Sequence, residues 1–363
     1  MKIIVLGTRG IPNILGGVET HCEQLYPRIV EEGHQVIIIT RKPYVADSSI
    51  ITYKGIKLKH LYAPKVKSVE AITHTLLGVF YAAIKRPDIL HIHAVGPMIL
   101  TPVARLFGLK VVVTNHGPDY DRQKWGKLAK AMLKMGERLG TTFANQVIVI
   151  SNVIQSILIE KYHRTDCNLI YNGVIIPQIT TQTNYISSLG LEPNNYIIAV
   201  GRFVEEKGFH DLIDAHIRSN IQQKLVLVGD ADHETKYSQS LKEKANTNHI
   251  VLTGFIKGPQ LNEVFSHAKL FVMPSYHEGL PIALLEALSY NLNVLVSDIP
   301  ANLEVSLPNE DYFKTGDVEE LSYKLRSKLN DNLIKRDYTQ LLQTKYNWDT
   351  IAKEVIRVYD KVL

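Results

Sequence analysis

The chain has 363 residues, enough for two domains of ordinary size. Its 45% hydrophobic and 21% charged residues are typical of a globular protein, and its 22 glycines and 15 prolines are scattered, which excludes a low-complexity chain. The net charge is +5, but 22 of the 41 basic and only 12 of the 36 acidic residues precede Gly173. This asymmetry favours an anionic surface as a partner of the first half. We expect no nucleic-acid partner.

No secretory or membrane-spanning segment is predicted. The apolar run Met1–Gly7 is too short for a signal peptide, and Ala71–Ile84 falls short of the roughly 20 residues that span a bilayer. Cys22 and Cys167 fit no zinc or CxxC spacing and predict reduced thiols. We therefore expect a cytoplasmic protein, either soluble or peripheral on the inner face of the cell membrane.

In chain order, short apolar strands alternate with helical segments in both halves of the sequence. The predicted strands are Lys2–Leu6, Gln35–Thr40, Ile89–His93, Lys110–Asn115, Gln146–Ile150, Tyr196–Val200, Lys224–Val228, His249–Leu252, Leu270–Met273 and Asn293–Val296. The predicted helices include Val18–Glu32, Phe209–His216, Pro259–His267, Pro281–Leu288 and Trp348–Leu363. Such alternation predicts α/β domains with doubly wound parallel sheets.

The polar stretch Pro177–Asn195 is predicted to connect the two sheets. We place an N-terminal domain at residues 1–172 and a C-terminal domain at 173–347, with helix 348–363 returning to the first. Ligands of such sheets bind at the carboxyl ends of the strands. Two edges of this kind, facing each other, predict a cleft.

A glycine pair, Gly16-Gly17, lies between the first strand and the first helix. Adjacent glycines let the backbone approach a bulky anion, and a helix N-terminus supplies N–H groups. The spacing is not GxGxxG, which disfavours a dinucleotide site. The pair is compatible with a phosphate-binding turn and with a plain tight turn.

Two cations follow the strand Tyr196–Val200 in the loop Gly201–Gly208. Arg202 can fork onto phosphate oxygens, and Lys207 can act as a movable point charge. Because two glutamates share this loop, the cations are compatible with a diphosphate site or with a solvated charge cluster.

Two glutamates bracket the start of the predicted helix Pro281–Leu288. Glu278 precedes the helix, Glu286 lies farther along it, and the amides of Gly279 and Leu280 can hold a phosphate between them. A nucleotide sugar presents sugar hydroxyls, a diphosphate and ribose hydroxyls in that order. Taken with the two cations, the pattern predicts a nucleotide-sugar site.

The segments Gly201–Gly208 and Glu278–Glu286 together resemble family 4 of the retaining GT-B glycosyltransferases. The opening segments Thr8–Pro12 and Gly16–Thr20 resemble a bacterial subgroup, described as rhamnosyl- or other hexosyltransferases, that builds O-antigen, capsule and exopolysaccharide. The resemblance extends from Met1 to about Trp348. It implies a GT-B fold, with two doubly wound Rossmann-like domains that face a cleft.

The resemblance also implies roles for individual residues. The implied donor-binding residues are Gly16, Gly17, Arg202, Lys207, Phe255, Glu278, Gly279, Leu280 and Glu286. Among them the two cations hold the diphosphate, Glu286 holds the ribose hydroxyls, Glu278 contacts the donor sugar, and Phe255 borders the base. Asn291 stands where the family usually has glycine, and we interpret it as a turn variant of little effect.

His116 follows a predicted strand and should emerge at the carboxyl edge of its sheet. It matches the family histidine near the transferred sugar, where it can bind a sugar hydroxyl or assist proton transfer from the acceptor; a structural histidine is the alternative. Asp119 is the second acceptor-side candidate. The predicted catalytic set is His116, Arg202, Lys207 and Glu278.

No metal ion or other cofactor is predicted. His91 and His93 alternate on a strand, but no third ligand is evident. The DxD patterns Asp119–Asp121 and Asp230–Asp232 are better explained as turn carboxylates, because cationic side chains and helix amides already offset the charge of the diphosphate.

The segment Lys124–Leu139 combines an apolar stripe with a basic side. The stripe is formed by Trp125, Leu128, Met132, Met135 and Leu139, and the basic side by Lys124, Lys127, Lys130, Lys134 and Arg138. This pattern is typical of helices that lie on an anionic membrane. A helix that packs its stripe onto the first domain has the same pattern, so both interpretations stay open.

We therefore predict a retaining transferase that moves a hexosyl, deoxyhexosyl or N-acetylhexosaminyl group. The donor is a nucleotide-diphosphate sugar, and the acceptor is a saccharide carried on a polyprenyl diphosphate, in lipopolysaccharide, capsule or exopolysaccharide synthesis. A nucleotide-sugar epimerase on the same scaffold is an alternative, but it needs acid/base groups on both sides of the sugar ring. A non-catalytic nucleotide-sugar sensor is another.

Overall fold

The structure is a computed structural model that describes the chain apart from residues 15, 46, 65–68, 119, 121–125, 232–233 and 331–335. It divides the chain into two compact units. Unit 1 comprises Met1–Gly173 and Lys345–Leu363, and unit 2 comprises Val174–Thr344.

Both units are built from strands that alternate with helices. The strands are β1 (Lys2–Leu6), β2 (Gln35–Arg41), β3 (Thr52–Tyr53), β4 (Ile56–Leu61), β5 (Ile89–His93), β6 (Val111–Asn115), β7 (Gln146–Val149), β8 (Asn168–Leu169), β9 (Tyr196–Val200), β10 (Lys224–Val228), β11 (Val251–Gly254), β12 (Leu270–Met273), β13 (Asn293–Ser297) and β14 (Tyr312–Phe313). The helices are α1 (Gly17–Glu31), α2 (Glu70–Lys85), α3 (Thr101–Leu106), α4 (Lys127–Phe143), α5 (Asn152–Tyr162), α6 (Asn184–Ser188), α7 (Phe209–Ser219), α8 (Lys236–Thr247), α9 (Pro259–Ser266), α10 (Ile282–Ser289), α11 (Pro300–Leu303), α12 (Val318–Asn330), α13 (Thr339–Lys345) and α14 (Trp348–Asp360).

Each unit contains one doubly wound sheet. The strand order is β3-β4-β2-β1-β5-β6-β7-β8 in unit 1 and β11-β10-β9-β12-β13-β14 in unit 2. All neighbouring strands are parallel except the hairpin of β3 and β4. The order reverses between β1 and β5 in unit 1 and between β9 and β12 in unit 2. Ligands of doubly wound sheets bind at such reversals.

The last helix completes the core of unit 1. The apolar residues of α14 recur every three or four positions, so one side of the helix is hydrophobic. Trp348, Ile351 and Val355 are buried on that side and join the core that contains Leu25 and Ile29 of α1.

The structure differs from the sequence prediction where elements are short or polar. The polar stretch between the sheets is not only a connection, because it contains the helix α6. Ile186 of this helix is fully buried, and its backbone N–H donates to Glu263 Oε1 at 2.9 Å. The two-residue strands β3, β8 and β14 and the six-residue strand β4, in which apolar and polar residues alternate, were not predicted. Asn291 adopts a φ of 54°, and its Oδ1 accepts the backbone N–H of Tyr338 at 3.1 Å, as suits a turn variant.

Replacing Trp348 with alanine tests the contribution of α14 to unit 1. The indole is 5% exposed, and a side chain at Gly173 would place its Cβ 2.6 Å from the ring, so the pocket is tightly filled. We expect Trp348→Ala to lower the free energy of unfolding by about 3–5 kcal/mol in urea titrations followed by circular dichroism. Tyr62→Ala, at a 64% exposed position of the same unit, should change it little. A small effect of Trp348→Ala would contradict the packing.

Candidate active site

The loops after β9 and β12 meet at one edge of the unit 2 sheet, because the two strands are parallel neighbours. Lys207 Nζ in the first loop lies 2.5 Å from Glu278 Oε1 in the second. The hydroxyl of Ser275 donates to the same carboxylate oxygen at 2.7 Å. The side chains of Lys207 and Glu278 are only 18% and 11% exposed, so the pair is held in a partly desolvated position.

A glycine allows this approach of the two loops. Gly208 has a φ of 64°, and a Cβ there would lie 2.1 Å from the carbonyl oxygen of Pro274 at the end of β12. The backbone N–H of Tyr276 donates to the carbonyl oxygen of Glu206 at 2.8 Å and ties the loops together. The requirement for glycine at 208 therefore fixes the position of the preceding lysine.

The segment between Glu278 and α10 offers free donors. Within the described residues, the amides of Gly279 and Leu280 donate no hydrogen bond, and they precede the first turn of α10. Pro281 stands immediately before the helix instead of at its first position. Free amides at a helix N-terminus bind anions, and Lys207 adds a positive charge beside them.

Glu286 lies on α10 with its carboxyl group desolvated. Burial raises its pKa from 4.5 to about 7. No side chain or backbone group of the described residues donates to this carboxyl or pairs with it. It can therefore accept hydrogen bonds from an incoming hydroxyl-bearing ligand, and such bonds favour its ionised form.

Arg202 and Phe255 lie in two further positions at the same edge of the sheet. Arg202 is half-buried in the loop that carries Lys207. Phe255 follows β11, two strands from β9, and its ring is 53% exposed. An exposed ring at this edge can cover a flat apolar group such as a base. The structure thus brings the predicted residues of unit 2 to one edge, and it adds Ser275, which no sequence motif marked.

The glycine pair of unit 1 has a steric explanation. A Cβ at Gly16 would lie 2.0 Å from Glu19 Oε2. Glu19 accepts hydrogen bonds from the backbone N–H of Arg9 at 2.9 Å and from its Nε at 3.3 Å, which closes the loop before α1. Gly17 is the first residue of that helix. Both glycines lie where the loop that follows β1 enters α1.

His116 follows β6 at the carboxyl edge of the unit 1 sheet and belongs to a cluster of three histidines. Its Nε2 lies 3.0 Å from Nδ1 of His93, whose Nε2 lies 2.6 Å from the hydroxyl of Tyr26. His21 of α1 completes the cluster. Burial lowers the pKa of His21 to about 4 and that of His93 and His116 well below 6.5, so all three are neutral at pH 7.

No sequence motif marks His21, because it lies on a helix and is distant in the chain from the other two histidines. His91, in contrast, is occupied: its Nδ1 lies 2.7 Å from the hydroxyl of Tyr359 and its Nε2 lies 2.7 Å from Oγ1 of Thr114. In the second DxD pattern, Asp230 pairs with Lys242 at 2.7 Å, and its Oδ1 accepts the backbone N–H of Ala231 at 2.7 Å. Residues 119, 121 and 232 lie outside the described residues.

Comparisons with known proteins cover both halves of the chain. Residues 15–176 match the family model described as Glycosyltransferase Family 4, and residues 181–348 match the model described as Glycosyl transferases group 1. Sucrose-phosphate synthase of Thermosynechococcus elongatus has the same fold, with a TM-score of 0.84 and 20% identity over 99% of this chain and 98% of that chain. HepE of Anabaena, solved in complex with UDP and glucose, gives a TM-score of 0.82 and 18% identity over 99% of both chains.

The chain is a glycosyltransferase with the GT-B fold. An uncharacterised glycosyltransferase of Methanocaldococcus jannaschii is 25% identical over 99% of this chain and 98% of the relative. The capsular polysaccharide biosynthesis glycosyltransferase CapH of Staphylococcus aureus is 27% identical over 65% of each protein. The GDP-mannose:cellobiosyl-diphosphopolyprenol alpha-mannosyltransferase of Xanthomonas oryzae is 22% identical over 77% of this chain and 76% of the relative.

Helix α4 of the glycosyltransferase leaves part of its predicted apolar stripe exposed, whereas Met132 and Leu139 are half-buried. Its buried side consists of Gly136, Glu137, Gly140 and Thr141, and Glu137 accepts hydrogen bonds from Asn115, Tyr120 and Tyr162 at 2.9–3.1 Å. Leu128 and Met135 of the stripe are 77% and 47% exposed. The interpretation that the stripe packs onto the domain is therefore wrong for these residues. Lys124 and Trp125 lie outside the described residues.

None of the helices within the described ranges offers an apolar stretch of the length that a bilayer crossing needs.

Replacing Glu286 with glutamine tests the desolvation of this carboxyl. Between about pH 4.5 and 7 the native state binds more protons at Glu286 than the unfolded chain does, so its contribution to stability falls as the pH rises through that window. Glutamine stays neutral, so we expect Glu286→Gln to exceed the parent in free energy of unfolding by up to about 3 kcal/mol at pH 8 and to converge with it near pH 4.

Urea denaturation across this pH range measures the difference. The exposed Glu243→Gln is the matched control and should leave the pH dependence unchanged. A constant difference between Glu286→Gln and the parent at all pH values would contradict the burial of an ionisable carboxyl.

Proposed function

We propose that the enzyme transfers, with retention of anomeric configuration, a hexosyl, deoxyhexosyl or N-acetylhexosaminyl group from a nucleotide-diphosphate sugar to a saccharide acceptor. The acceptor in this proposal is carried on a polyprenyl diphosphate and serves the synthesis of lipopolysaccharide, capsule or exopolysaccharide. Unit 2 binds the donor, and unit 1 supplies the acceptor side. The observation that carries the proposal is the cation of Lys207 beside the free amides of Gly279 and Leu280.

The groups at the unit 2 edge match the parts of a nucleotide sugar. A diphosphate needs cations and N–H donors, which Arg202, Lys207 and the two amides provide. Ribose hydroxyls need acceptors, and the carboxyl of Glu286 is free to accept. Glu278 keeps Lys207 in place and offers its second carboxylate oxygen to the donor sugar. The exposed ring of Phe255 covers the base.

The names of similar proteins support the same donor and acceptor classes. HepE of Anabaena was solved with UDP and glucose, CapH acts in capsular polysaccharide biosynthesis, and the Xanthomonas relative is named for a diphosphopolyprenol acceptor. These names differ in nucleotide and sugar. The proposal therefore extends to the class of donor and not to one nucleotide.

The chemical step follows from these groups. The bond between the anomeric carbon and the β-phosphate oxygen breaks, and its electron pair leaves with the diphosphate, whose charge Arg202, Lys207 and the amides stabilise. The acceptor hydroxyl oxygen forms the new bond on the same face of the sugar. Its proton passes to an oxygen of the leaving phosphate. Because Arg202 and Lys207 offset the negative charge of the diphosphate at this position, added Mg²⁺ or Mn²⁺ is not required there.

Three groups of unit 1 complete the proposal. His116, at the carboxyl edge of β6, contacts the transferred sugar or the acceptor hydroxyl. Asp119 is retained as an acceptor-side candidate from the sequence alone. Gly16 and Gly17, at the start of α1, are retained as donor-binding candidates from the sequence alone.

Replacing Lys207 with alanine tests the proposed leaving-group site. The variant loses a cation that acts on charge developing in the transition state, and we expect kcat to fall by about 10²–10³-fold. The assay measures nucleotide diphosphate released in the presence of acceptor, with the product anomer assigned by NMR. Lys244→Ala, which removes a surface pair with Asp214, is the matched control and should retain activity.

Near-normal activity of Lys207→Ala, with the fold intact by circular dichroism, would overturn the proposed site. Incubation with donor alone should yield no epimerised sugar. An inverted anomer in the product would overturn retention while leaving the donor site in place.

We also propose that α4 lies on an anionic membrane surface, where a lipid-linked acceptor is found. The exposed stripe of Leu128 and Met135 is bordered by Lys127, Lys130 and other basic residues. The helix is attached to unit 1 by its glycines and by the buried Glu137, which leaves the stripe facing outward. An amphipathic helix with basic flanks suits the interface of an anionic bilayer.

Removing two charges from α4 tests this surface. Each basic residue near an anionic leaflet contributes about 1 kcal/mol, so Lys127→Gln combined with Lys130→Gln should weaken binding to phosphatidylglycerol vesicles by roughly thirtyfold. Vesicle sedimentation at fixed ionic strength measures the affinity. The same charge change in unit 2, Lys236→Gln with Lys314→Gln, should have little effect. Equal weakening by both pairs would mean that net charge and not α4 governs the association.

A further inference from the structure

We propose that His21, His93 and His116 bind one divalent transition-metal ion at the carboxyl edge of the unit 1 sheet. The inference rests on unit 1 alone and goes beyond the transferase activity. The sequence pairs His93 with His91, whereas in the structure the histidines grouped with His93 are His21 on α1 and His116 after β6.

The fold brings the three imidazoles together at the reversal of strand order. His93 ends β5, His116 follows the neighbouring β6, and His21 lies in the first turns of α1, which follows β1. One ring nitrogen from each lies within 4.8 Å of the others. The ring centres are 5.3, 4.9 and 5.3 Å apart. Three imidazoles on a tetrahedral zinc ion, with Zn–N bonds near 2.0–2.1 Å, have ring centres roughly 5 Å apart.

In His21 and His93, the ring nitrogen that points away from the cluster is hydrogen-bonded to another side chain, so the other nitrogen faces the cluster. Nδ1 of His21 donates to Oδ1 of Asn172 at 2.6 Å, so Nε2 of His21 is unprotonated and has a free lone pair. This buried Nε2 has no hydrogen-bond partner within the described residues. Nε2 of His93 can donate to the hydroxyl of Tyr26 at 2.6 Å, and its Nδ1 then faces Nε2 of His116 at 3.0 Å, where an ion would replace this direct contact. Metal-binding histidines commonly have such outer partners, which fix the tautomer.

The chemistry of the three ligands selects the class of ion. Imidazole nitrogens suit zinc, copper, nickel or cobalt and not the hard cations magnesium and calcium. His91 does not join the set, since both of its nitrogens already contact hydroxyl groups. Three protein ligands leave one coordination position for water or another oxygen ligand.

The test uses the untagged full-length enzyme, freed of metal with a chelator and titrated with ZnCl₂ by calorimetry and with CoCl₂ by visible absorption. We expect one ion per chain and the absorption of tetrahedral cobalt. His21→Ala and His116→Ala should each weaken zinc binding by more than about a hundredfold. Asn172→Ala removes only an outer partner and should weaken it by about ten- to a hundredfold.

The matched controls are His163→Ala and His249→Ala, which change exposed histidines and should leave zinc affinity unaltered. Circular dichroism checks that each variant is folded, and the half-buried His116 is the position where replacement disturbs the core least. Failure of the parent to bind zinc or cobalt would overturn the proposal, as would equal zinc affinity in the parent and His116→Ala. Either result leaves donor binding by unit 2 untouched, because that is measured separately with nucleotide sugars.

Discussion

The candidate donor site depends on the strand order that makes β9 and β12 neighbours. Lys207 and Glu278 are 71 residues apart in the chain, and they meet only because both strands run parallel and end at the same edge. Gly208 then lets the first loop approach Pro274 closely enough for a 2.5 Å ion pair. A partly desolvated cation beside unpaired amides is a strong anion site, since neither group has to be reorganised when a diphosphate arrives.

The active-site edge and α4 both place polar or ionisable groups where apolar ones would be more stable. Glu286 has its pKa raised to about 7 because its carboxyl is desolvated without a partner, which disfavours its ionised form in the free enzyme. Helix α4 buries glycines and the hydrogen-bonded Glu137 while Leu128 and Met135 remain exposed. The proposed donor would contact the first of these groups, and the proposed membrane surface would cover the second.

The sequence predicts the repetitive parts of this fold well and the long-range parts poorly. The strands Lys2–Leu6, Ile89–His93, Tyr196–Val200, Lys224–Val228 and Leu270–Met273 are confirmed at both ends, because continuous apolar runs report burial in a parallel sheet. The two-residue strands β3, β8 and β14 lack such a run, and β4 alternates apolar with polar residues, so all four were missed. For α4 both interpretations of the stripe stayed open, because periodicity gives the apolar side of a helix but not which side the glycines allow to approach the domain. His21 of α1 was not predicted as a neighbour of His93, because no local spacing in the sequence relates a residue on a helix to one at the end of a strand.

The measurement that tests the central claim most directly is a crystal structure of the enzyme with the nucleotide-diphosphate sugar that raises its melting temperature most. The account predicts a diphosphate within hydrogen-bond distance of Lys207 Nζ and the amides of Gly279 and Leu280, with the ribose hydroxyls at Glu286. A diphosphate bound elsewhere, with Lys207 still paired only to Glu278, would contradict it.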